Sequence, residues 1–288
     1  MLTAVGIARL VERAIPDIAC VLRPDVRTAL DAAAVRETGG RGRTVLRQLR
    51  ENALIAEERR IPLCQDTGSV WVLLEVGERD AEGRAVVLPA DVFSLVDEAV
   101  ARAFERAALR KSLVRDAFGD RRNTGDNTPA FCELWLNPAR RGAVLHLMLK
   151  GGGSDNASRV VMLTPNEGED GIRRAVLDAV LAKGESACPP LVIGVGVGST
   201  FDKVGGLAKR ALLRPVGEAS PDSQNAALER QLLEDVNATG LGPGGLGGEV
   251  TALAVHVLSA PCHIASLPLA VNIGCNSLRS TSIDLEGP

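Results

Sequence analysis

The hydrophobic pattern of the chain changes at Pro62, and this change constrains the fold more than any other feature. Before it, apolar residues recur at intervals of three and four, which predicts helices over residues 5–14, 24–37 and 42–58. After it come short apolar runs of strand length, separated by turns rich in glycine and proline. The predicted strands are Val70–Val76, Phe131–Leu136, Val144–Leu149, Leu191–Val197 and Val250–Leu258, and the further predicted helices are Ala90–Leu113, Glu169–Lys183 and Asp222–Val236.

The order of these elements predicts a mixed α/β (α+β) fold. A helical N-terminal segment is followed by mixed sheets flanked by helices, and nothing in the pattern resembles a repeat or a linker. We therefore expect one domain over residues 1–288. The polar tail after Thr281 is expected to be disordered or to lie at an interface.

Composition and charge exclude several classes of function. The formal charge of −3 gives no reason to expect a nucleic-acid partner or an anionic membrane. Seven aromatic residues, five Phe and two Trp, are too few for a base-stacking platform. No run approaches the roughly 18 apolar residues of a membrane span, and the N-terminus lacks the apolar core of a signal peptide. We expect a cytoplasmic protein.

The six cysteines need an explanation other than disulfides, which are rare in the cytoplasm. Cys20 and Cys132 are interpreted as small buried apolar residues. By contrast, Cys64, Cys188 and Cys275 each lie in a polar segment marked by proline or glycine. Three thiolates that converge can hold an iron–sulfur cluster and leave one iron open, but their separation along the chain does not show that they converge.

Several polar segments have the composition of binding loops. Cys64-Gln-Asp-Thr-Gly68 contains Asp66, which in isolation is also typical of a turn. Arg121-Arg-Asn-Thr-Gly-Asp-Asn-Thr-Pro129 suits carboxylate recognition, and a solvated loop is the equal alternative. Lys150-Gly-Gly-Gly-Ser154 would let backbone N–H groups approach an anion, although it is not a Walker motif.

Glycines and histidines mark further candidate positions. The G-x-G-x-G pattern at Gly194–Gly198 is similar to a dinucleotide fingerprint, but its final interval is one residue short, which argues against dinucleotide binding. The glycine-rich loop at residues 240–248 is interpreted as a site loop. His146 and His256 lie in apolar runs and are predicted to be satisfied strand residues. His263 lies in a proline-marked turn, where it would serve as a substrate-facing donor or proton shuttle or simply as a turn residue.

Taken in this order, the segments resemble the alpha subunit of the iron–sulfur hydro-lyases, class I fumarate hydratase and L-tartrate dehydratase. The resemblance covers about residues 5–280. It is carried by Pro62-Leu-Cys-Gln-Asp-Thr-Gly68, Asn123-Thr-Gly-Asp-Asn-Thr-Pro129, Lys150-Gly-Gly-Gly-Ser154, Cys188-Pro-Pro190, Phe201-Asp-Lys203, the loop Gly242–Gly248, and His263-Ile-Ala-Ser-Leu-Pro268 with Cys275.

The resemblance implies a 4Fe–4S cluster held by Cys64, Cys188 and Cys275, with a fourth iron that has no protein ligand. That iron would act as a Lewis acid on the substrate. The resemblance also implies site residues on the protein: Asp66 as proton donor to the leaving hydroxyl, His263 reaching the substrate (in some members across a subunit boundary), and Gln65, Asp66, Arg121 or Arg122, and Gly151 or Gly152 as substrate-binding positions.

The implied activity is the reversible hydration of fumarate to L-malate, and the closest alternative is dehydration of L-tartrate to oxaloacetate. Gly244 and Val250 depart from residues common in the family, and both lie in loops expected near the site, so the choice between the two dicarboxylates stays open. In single-chain relatives a beta domain supplies further arginines, a lysine and a threonine base. We therefore expect activity only with a separate beta subunit, as α2β2. A weaker alternative is a non-catalytic module that binds anions through its glycine loops.

Overall fold

The computed structural model describes residues 3–285, and its helices and strands alternate irregularly along the chain. The helices are α1 (Ala4–Cys20), α2 (Pro24–Arg36), α3 (Gly40–Arg59), α4 (Val92–Arg106), α5 (Gly152–Asn156), α6 (Gly168–Lys183), α7 (Phe201–Ala211) and α8 (Ser223–Ala238). The strands are β1 (Ser69–Val76), β2 (Phe131–Leu136), β3 (Ala143–Lys150), β4 (Arg159–Leu163), β5 (Leu191–Ser199), β6 (Ala252–Cys262), β7 (Leu267–Gly274) and β8 (Arg279–Asp284).

The strands form two four-stranded mixed sheets, which confirms the predicted mixed α/β class. The described chain divides into two compact units, and each is described by itself. Unit 1 contains residues 3–22, 55–151 and 279–285, and unit 2 contains residues 23–54 and 152–278. The assignment of residues 1–288 to a single domain stays a prediction.

Unit 1 is built on a sheet of order β2-β1-β3-β8. Strand β1 is parallel to β2 and antiparallel to β3, and β3 is antiparallel to β8. Helices α1 and α4 pack against each other, and their apolar faces share one core with β1 and β3. In α1 this face recurs every four residues at Ile7, Val11 and Ile15, all buried. Each such side chain stabilises the fold by about 1.5–3 kcal/mol.

Unit 2 is built on a sheet of order β4-β7-β5-β6. Strand β5 is parallel to β6 and antiparallel to β7, which is antiparallel to β4. Successive side chains of a strand point to opposite faces, and β5 uses this alternation. Ile193 and Val195 belong to the core that includes α6 and α8. Gly194 and Gly196 face α7.

The G-x-G-x-G pattern has a packing role here. A Cβ added at Gly194 would lie 2.2 Å from the backbone oxygen of Ala208, and one at Gly196 would lie 2.6 Å from that of Val204. Both carbonyls belong to α7, so only glycine lets this helix approach the strand so closely. The pattern is therefore explained without a dinucleotide.

Some predicted boundaries were wrong. Helix α4 ends at Arg106 and not at Leu113, because the following residues turn into a loop through Ala108, whose φ is 49°. The chain after Thr281 was expected to be disordered or at an interface, yet residues 281–284 are hydrogen-bonded to β3 as part of β8. Residues 286–288 lie outside the described residues. Helices α5 and α7 and strands β4, β7 and β8 were not predicted as elements.

Within residues 3–285, no helix is both long enough and apolar enough to cross a membrane.

Candidate active site

The topology of unit 1 brings its polar segments to one end of the sheet. Ser69 at the start of β1 pairs with Lys150 at the end of β3. Because β2 runs parallel to β1 and β8 antiparallel to β3, both of these strands also begin at that end. The segment 64–68 precedes β1 and the loop 107–130 precedes β2, while Gly151 follows β3 and Arg279 opens β8. Segments far apart in sequence therefore meet there.

Asp66 is the centre of a polar group in this unit. Its Oδ1 accepts hydrogen bonds from the backbone N–H of Gly68 at 3.0 Å and the hydroxyl of Ser112 at 3.2 Å. Arg110 Nη2 lies 3.3 Å from the same oxygen, as an ion pair. These contacts fix the carboxyl group in position. The Asp66 side chain is 23% exposed, so a ligand can still contact it. Such a group can exchange a proton with a bound ligand.

Arg110 was missed by the sequence reasoning, which predicted that a helix continued through it. Its only signal is its place in the polar run Arg110-Lys-Ser112, next to a segment already singled out. The early end of α4 puts it in the loop beside Asp66. Arg110 is thus the arginine that the structure brings to this carboxylate.

Arg121 and Arg122 lie in an exposed loop before β2. The guanidinium of Arg121 donates to the backbone oxygen of Ala117, and that of Arg122 pairs with Asp120 at 3.1 Å. These contacts stay within the loop, so the structure does not bring either arginine to Asp66 through a hydrogen bond among the described residues. A substrate-binding role for either one stays a prediction.

Buried Asn127 ties the loops of this end together. Its Oδ1 accepts from the Ser112 N–H at 2.7 Å, and its Nδ2 donates to the Gly68 oxygen at 3.1 Å. Its backbone has φ 66°, in the left-handed region that asparagine tolerates better than most residues. One amide thus fixes the segment that carries Asp66 against the segment that carries Arg110.

Gly151 lies against both Asp66 and Arg279. A Cβ added to it would lie 3.2 Å from Asp66 Oδ2 and 3.5 Å from Arg279 Nη2. Gln65 is exposed beside Cys64, and its Oε1 accepts from the Cys64 thiol at 3.3 Å. Four predicted residues of unit 1, Cys64, Gln65, Asp66 and Gly151, therefore lie in or beside the loops at this end of the sheet.

In unit 2 the structure brings Cys188 and Cys275 together through Asn276. The Asn276 backbone N–H and side-chain Nδ2 both donate to the Cys188 oxygen, at 3.2 and 2.7 Å. Cys188 precedes β5 and Cys275 follows β7, and these strand ends coincide because Val192 pairs with Gly274. Cys188 is exposed and has φ 56°, and the Cys275 sulfur lies 3.2 Å from the Ser277 hydroxyl oxygen.

Two glycine segments pack beside the Cys188 loop. The N–H of Gly244, in the glycine-rich loop, donates to the Pro189 oxygen at 2.9 Å. A Cβ at Gly153 would lie 2.7 Å from the backbone oxygen of Ser186, so the start of α5 also lies close to the segment before Cys188. Gly152, one of the predicted substrate positions, is the exposed first residue of this helix.

His263 lies at the opposite end of the unit 2 sheet from these cysteines. It is in the turn between β6 and β7, whereas Cys275 follows the other end of β7. Eight residues of strand at about 3.3 Å each separate the two ends by roughly 26 Å. The exposed ring accepts a hydrogen bond at Nδ1 from Ala265 N–H, so its neutral form carries the proton on Nε2. A cleft of about 410 Å³ opens beside it, lined also by Glu169, Ser259 and Cys262.

A model of the family described as fumarate hydratase (Fumerase) matches residues 8–284. The chain belongs to the fumarate hydratase family. A protein of Methanocaldococcus jannaschii, described provisionally as an L(+)-tartrate dehydratase subunit alpha, is 38% identical over 263 residues that cover 90% of each chain. The L(+)-tartrate dehydratase alpha subunits of Escherichia coli (strain K12) and Shigella boydii serotype 4 are each 31% identical over 257 residues, 87% of this chain and 81% of theirs. The resemblance predicted from the motifs is confirmed.

The cysteines of this fumarate hydratase family member fit a cluster by their chemistry. All six are thiols outside any disulfide, and Cys64, Cys188 and Cys275 are half-buried or exposed in loops at strand ends. Thiolates are the usual ligands of iron–sulfur clusters. Within residues 3–285, no three His, Cys, Asp or Glu side chains are grouped as ligands of a metal ion. Cluster attachment by these three residues stays a prediction.

The remaining cysteines have ordinary surroundings. Cys20 is buried in the unit 1 core, and Cys132 packs against that core from β2. Burial, with the nearby charge of Asp97, raises the pKa of Cys132 to about 12, so it stays a thiol at neutral pH. Cys262 is exposed and its thiol donates to the Ser266 oxygen at 3.3 Å. The interpretation as a buried apolar residue is confirmed for Cys20, whereas Cys132 is half-buried.

The two strand histidines are satisfied, as predicted. The ring of His146 contacts Glu75 Oε2 at 3.0 Å and Ser282 Oγ at 2.8 Å. His256 is buried, its Nδ1 lies 3.2 Å from the Ala211 oxygen, and burial lowers its pKa from 6.5 to about 4. His263 is therefore the histidine left to act on a ligand among the three in the chain.

Proposed function

We propose that this chain is the alpha subunit of an iron–sulfur hydro-lyase that reversibly hydrates fumarate to L-malate. The observation that carries the proposal is the polar group around Asp66, which lies within the residues that the fumarate hydratase family model matches. A carboxyl group, a guanidinium and a hydroxyl within hydrogen-bond distance of one another suit a 2-hydroxy dicarboxylate, which presents a hydroxyl beside a carboxylate.

The elimination of water from L-malate breaks the C2–O bond and removes a proton from C3. The hydroxyl leaves as water once it takes up a proton, and Asp66 is the side chain proposed to donate it. Ser112 and the Gly68 N–H orient that carboxyl group. Gln65 and Gly151 are proposed to bind the substrate beside it, and Arg110 is a better-placed partner for a carboxylate than Arg121 or Arg122.

Cys64, Cys188 and Cys275 are the residues proposed to hold the 4Fe–4S cluster. When bound, its open iron would supply a Lewis acid for the substrate hydroxyl. Asn276 and the Gly244 loop would keep the Cys188 segment in shape for that purpose. The beta subunit is proposed to supply the base for the C3 proton. The alpha-subunit names of the relatives support such a partner.

His263 is proposed to act in the site of a second copy of the chain. This assignment follows from the strand geometry, which separates it from Cys188 and Cys275 by the length of β7. Coexpression of a His263→Ala chain with a Cys188→Ser chain tests it. If His263 acts between copies, mixed assemblies regain about a quarter to a half of wild-type activity. Activity no higher than that of either variant alone would contradict the assignment.

The cluster and the reaction can be tested together. The chain is purified without oxygen, analysed for iron and sulfide, and assayed for malate and tartrate turnover after coexpression with a beta-type partner. Cys188→Ser should lose iron and activity. The matched control Cys262→Ser should keep both, because the Cys262 thiol is not a proposed ligand and donates a hydrogen bond to Ser266 within its own turn. Iron-free wild-type protein, or equal iron in the two variants, would contradict the proposed ligands.

L-tartrate dehydration is the second candidate, because the similar curated proteins carry that name. Malate and tartrate differ by one hydroxyl, so the ratio of kcat/KM for the two substrates decides between them. Turnover of tartrate alone would contradict the fumarate assignment. A non-catalytic anion-binding module predicts colourless protein, no turnover and full tolerance of Cys64→Ser.

A further inference from the structure

Arg279 is a buried cation without a carboxylate partner among the described residues. Arg279 is 3% exposed, and among the described residues its Nε and Nη1 have no hydrogen-bond partner. Its backbone is fixed in β8 opposite Leu149 of β3, so the side chain starts from a rigid position. Two half-buried arginines have the carboxylate partner that Arg279 lacks: Arg214 pairs with Glu229, and Arg23 pairs with Asp25 at 2.5 Å. Arg214 also has an Nε and an Nη1 without a hydrogen-bond partner, so the carboxylate is what distinguishes it from Arg279.

A buried guanidinium with open donors is unfavourable for the fold on its own. Removing a charge from water has a large cost unless a partner of opposite charge and hydrogen bonds compensate for it. Arginine cannot relieve this cost by losing its proton, because its pKa is too high. A residue kept in such a position is therefore expected to meet an anion in another state of the protein.

The Arg279 guanidinium lies near the Asp66 carboxylate, and both lie beside Gly151. Its Nη2 lies 3.5 Å from the Cβ position of Gly151, and Asp66 Oδ2 lies 3.2 Å from that same point. The missing Cβ of Gly151 leaves space between the carboxyl group and the guanidinium. Arg110 is already paired with Asp66, so the described contacts leave the charge of Arg279 without a carboxylate, and an anionic ligand would balance it.

We propose that Arg279 is a further substrate-binding residue, whose guanidinium binds one carboxylate of the dicarboxylate substrate beside Asp66 and Gly151. This inference rests on the proposed hydro-lyase function and adds a residue to the same site. A planar fork of N–H donors matches a carboxylate with two parallel hydrogen bonds, which lysine cannot reproduce. Arg279 would thus orient the substrate whose hydroxyl faces Asp66.

Two variants and one control test the proposal in the full chain. Arg279→Met removes the charge and keeps the bulk, and Arg279→Lys keeps the charge without the fork. Arg214→Met is the control, because it removes a half-buried arginine that has a carboxylate partner. Thermal unfolding is followed with and without L-malate or L-tartrate, and KM and kcat are measured in the assembled enzyme.

Without ligand, Arg279→Met should unfold at or above the wild-type temperature, while Arg214→Met should unfold several degrees lower. In the enzyme, Arg279→Met should raise KM about 10- to 100-fold, as expected for loss of a charge-assisted pair. The kcat of Arg279→Met should change less than its KM. The KM of Arg279→Lys should lie between those of the wild type and Arg279→Met. A purely structural arginine would lower the unfolding temperature as the control does.

The outcomes separate this inference from the proposed function. Normal turnover with an unchanged KM in Arg279→Met, or destabilisation equal to that of Arg214→Met, would overturn the role of Arg279 and leave the hydro-lyase standing. Wild-type enzyme that contains its cluster and turns over neither dicarboxylate would overturn the function itself. In that case, a dicarboxylate-induced rise in unfolding temperature that the Arg279→Met chain lacks would still support the binding role.

Discussion

Replacement of Glu37 should loosen the loop next to Cys188, although the two residues are far apart in sequence. Glu37 follows α2 and is 1% exposed. Its Oε1 accepts from the Gly39 N–H at 2.8 Å, and its Oε2 accepts from the N–H groups of Glu249 and Val250 at 2.8 and 3.1 Å. One carboxylate therefore satisfies three backbone donors and fixes the end of the glycine-rich loop.

The magnitude follows from the environment of those donors. A buried donor left without a partner costs about 1–3 kcal/mol. Val250 is buried and should bear the full cost, whereas Gly39 is half-buried and Glu249 exposed, so their N–H groups can meet water. We expect Glu37→Ala to lower the free energy of unfolding by about 3 kcal/mol. Glu37→Gln can keep its oxygen at the Oε2 position and should lose about 1 kcal/mol.

The loop then connects this effect to the candidate site. Gly248 lies so close to Glu37 that a Cβ there would be 2.6 Å from Oε2, and Gly244 of the same loop donates to Pro189, the residue after Cys188. Loss of the carboxylate should therefore increase amide exchange over residues 240–250 before the rest of unit 2 opens.

Urea unfolding and hydrogen-exchange mass spectrometry measure the two effects, and the exposed Glu51→Ala in α3 is the matched control. The expected order of stability is control and wild type, then Glu37→Gln, then Glu37→Ala. An unchanged urea midpoint together with unchanged exchange over residues 240–250 in Glu37→Ala would refute the reasoning.

Three further predictions follow from other parts of the structure. His256 is protonated near pH 6.5 in the unfolded chain and only near pH 4 in the folded chain. The free energy of unfolding should therefore fall by about 3 kcal/mol as the pH drops through this range. If the urea midpoints of a His256→Leu chain show the same pH dependence, His256 is not its cause. Gly151→Ala should lower kcat/KM about tenfold with little change in unfolding temperature, because the methyl group would press on the Asp66 carboxylate and fill the space between it and Arg279; unchanged kinetics would contradict it. Iodoacetamide should label Cys188 in the folded, cluster-free chain long before Cys132, whose pKa is raised to about 12; equal labelling measured by mass spectrometry would contradict the described burial.

The central strands could be predicted because their residues carry the burial signal themselves. The run predicted at Val70–Val76 became β1 (Ser69–Val76), a central strand with seven buried residues. The edge strand β2 (Phe131–Leu136) has the predicted bounds because its sequence is rich in apolar residues, although none of them is fully buried. Edge strands carry little of this signal. Four of the five residues of β4 are exposed or half-buried, and β8 has the polar sequence Arg-Ser-Thr-Ser-Ile-Asp. Their place in the sheets comes from backbone pairing, which composition does not reveal.

The candidate site was predictable in its motifs and not in its arrangement. Asp66 and Gly151 were found because unusual residue types cluster around them, as backbone turns and ligand contacts require. Arg110 and Arg279 were missed because one follows a helix that carries no glycine or proline stop signal, and the other opens an edge strand. Their importance depends on which strand ends meet, and this is a property of the sheet order.

The two sheets share one pattern, which explains why the chemistry gathers where it does. In β2-β1-β3-β8 and in β6-β5-β7-β4, the first pair is parallel and the next two pairs are antiparallel. One end of each sheet therefore collects the starts of three strands and the end of the fourth. Cys64 precedes β1 and Cys188 precedes β5, the corresponding strands of the two sheets, while Gly151 and Cys275 follow the corresponding strands β3 and β7. Since loops at strand ends can change without disturbing the buried sheet, each sheet can keep its core while this one end supplies thiols, a carboxyl group and glycines for binding. His263 lies at the other end of its sheet from Cys188 and Cys275, which supports the proposal that it acts in the site of a second copy.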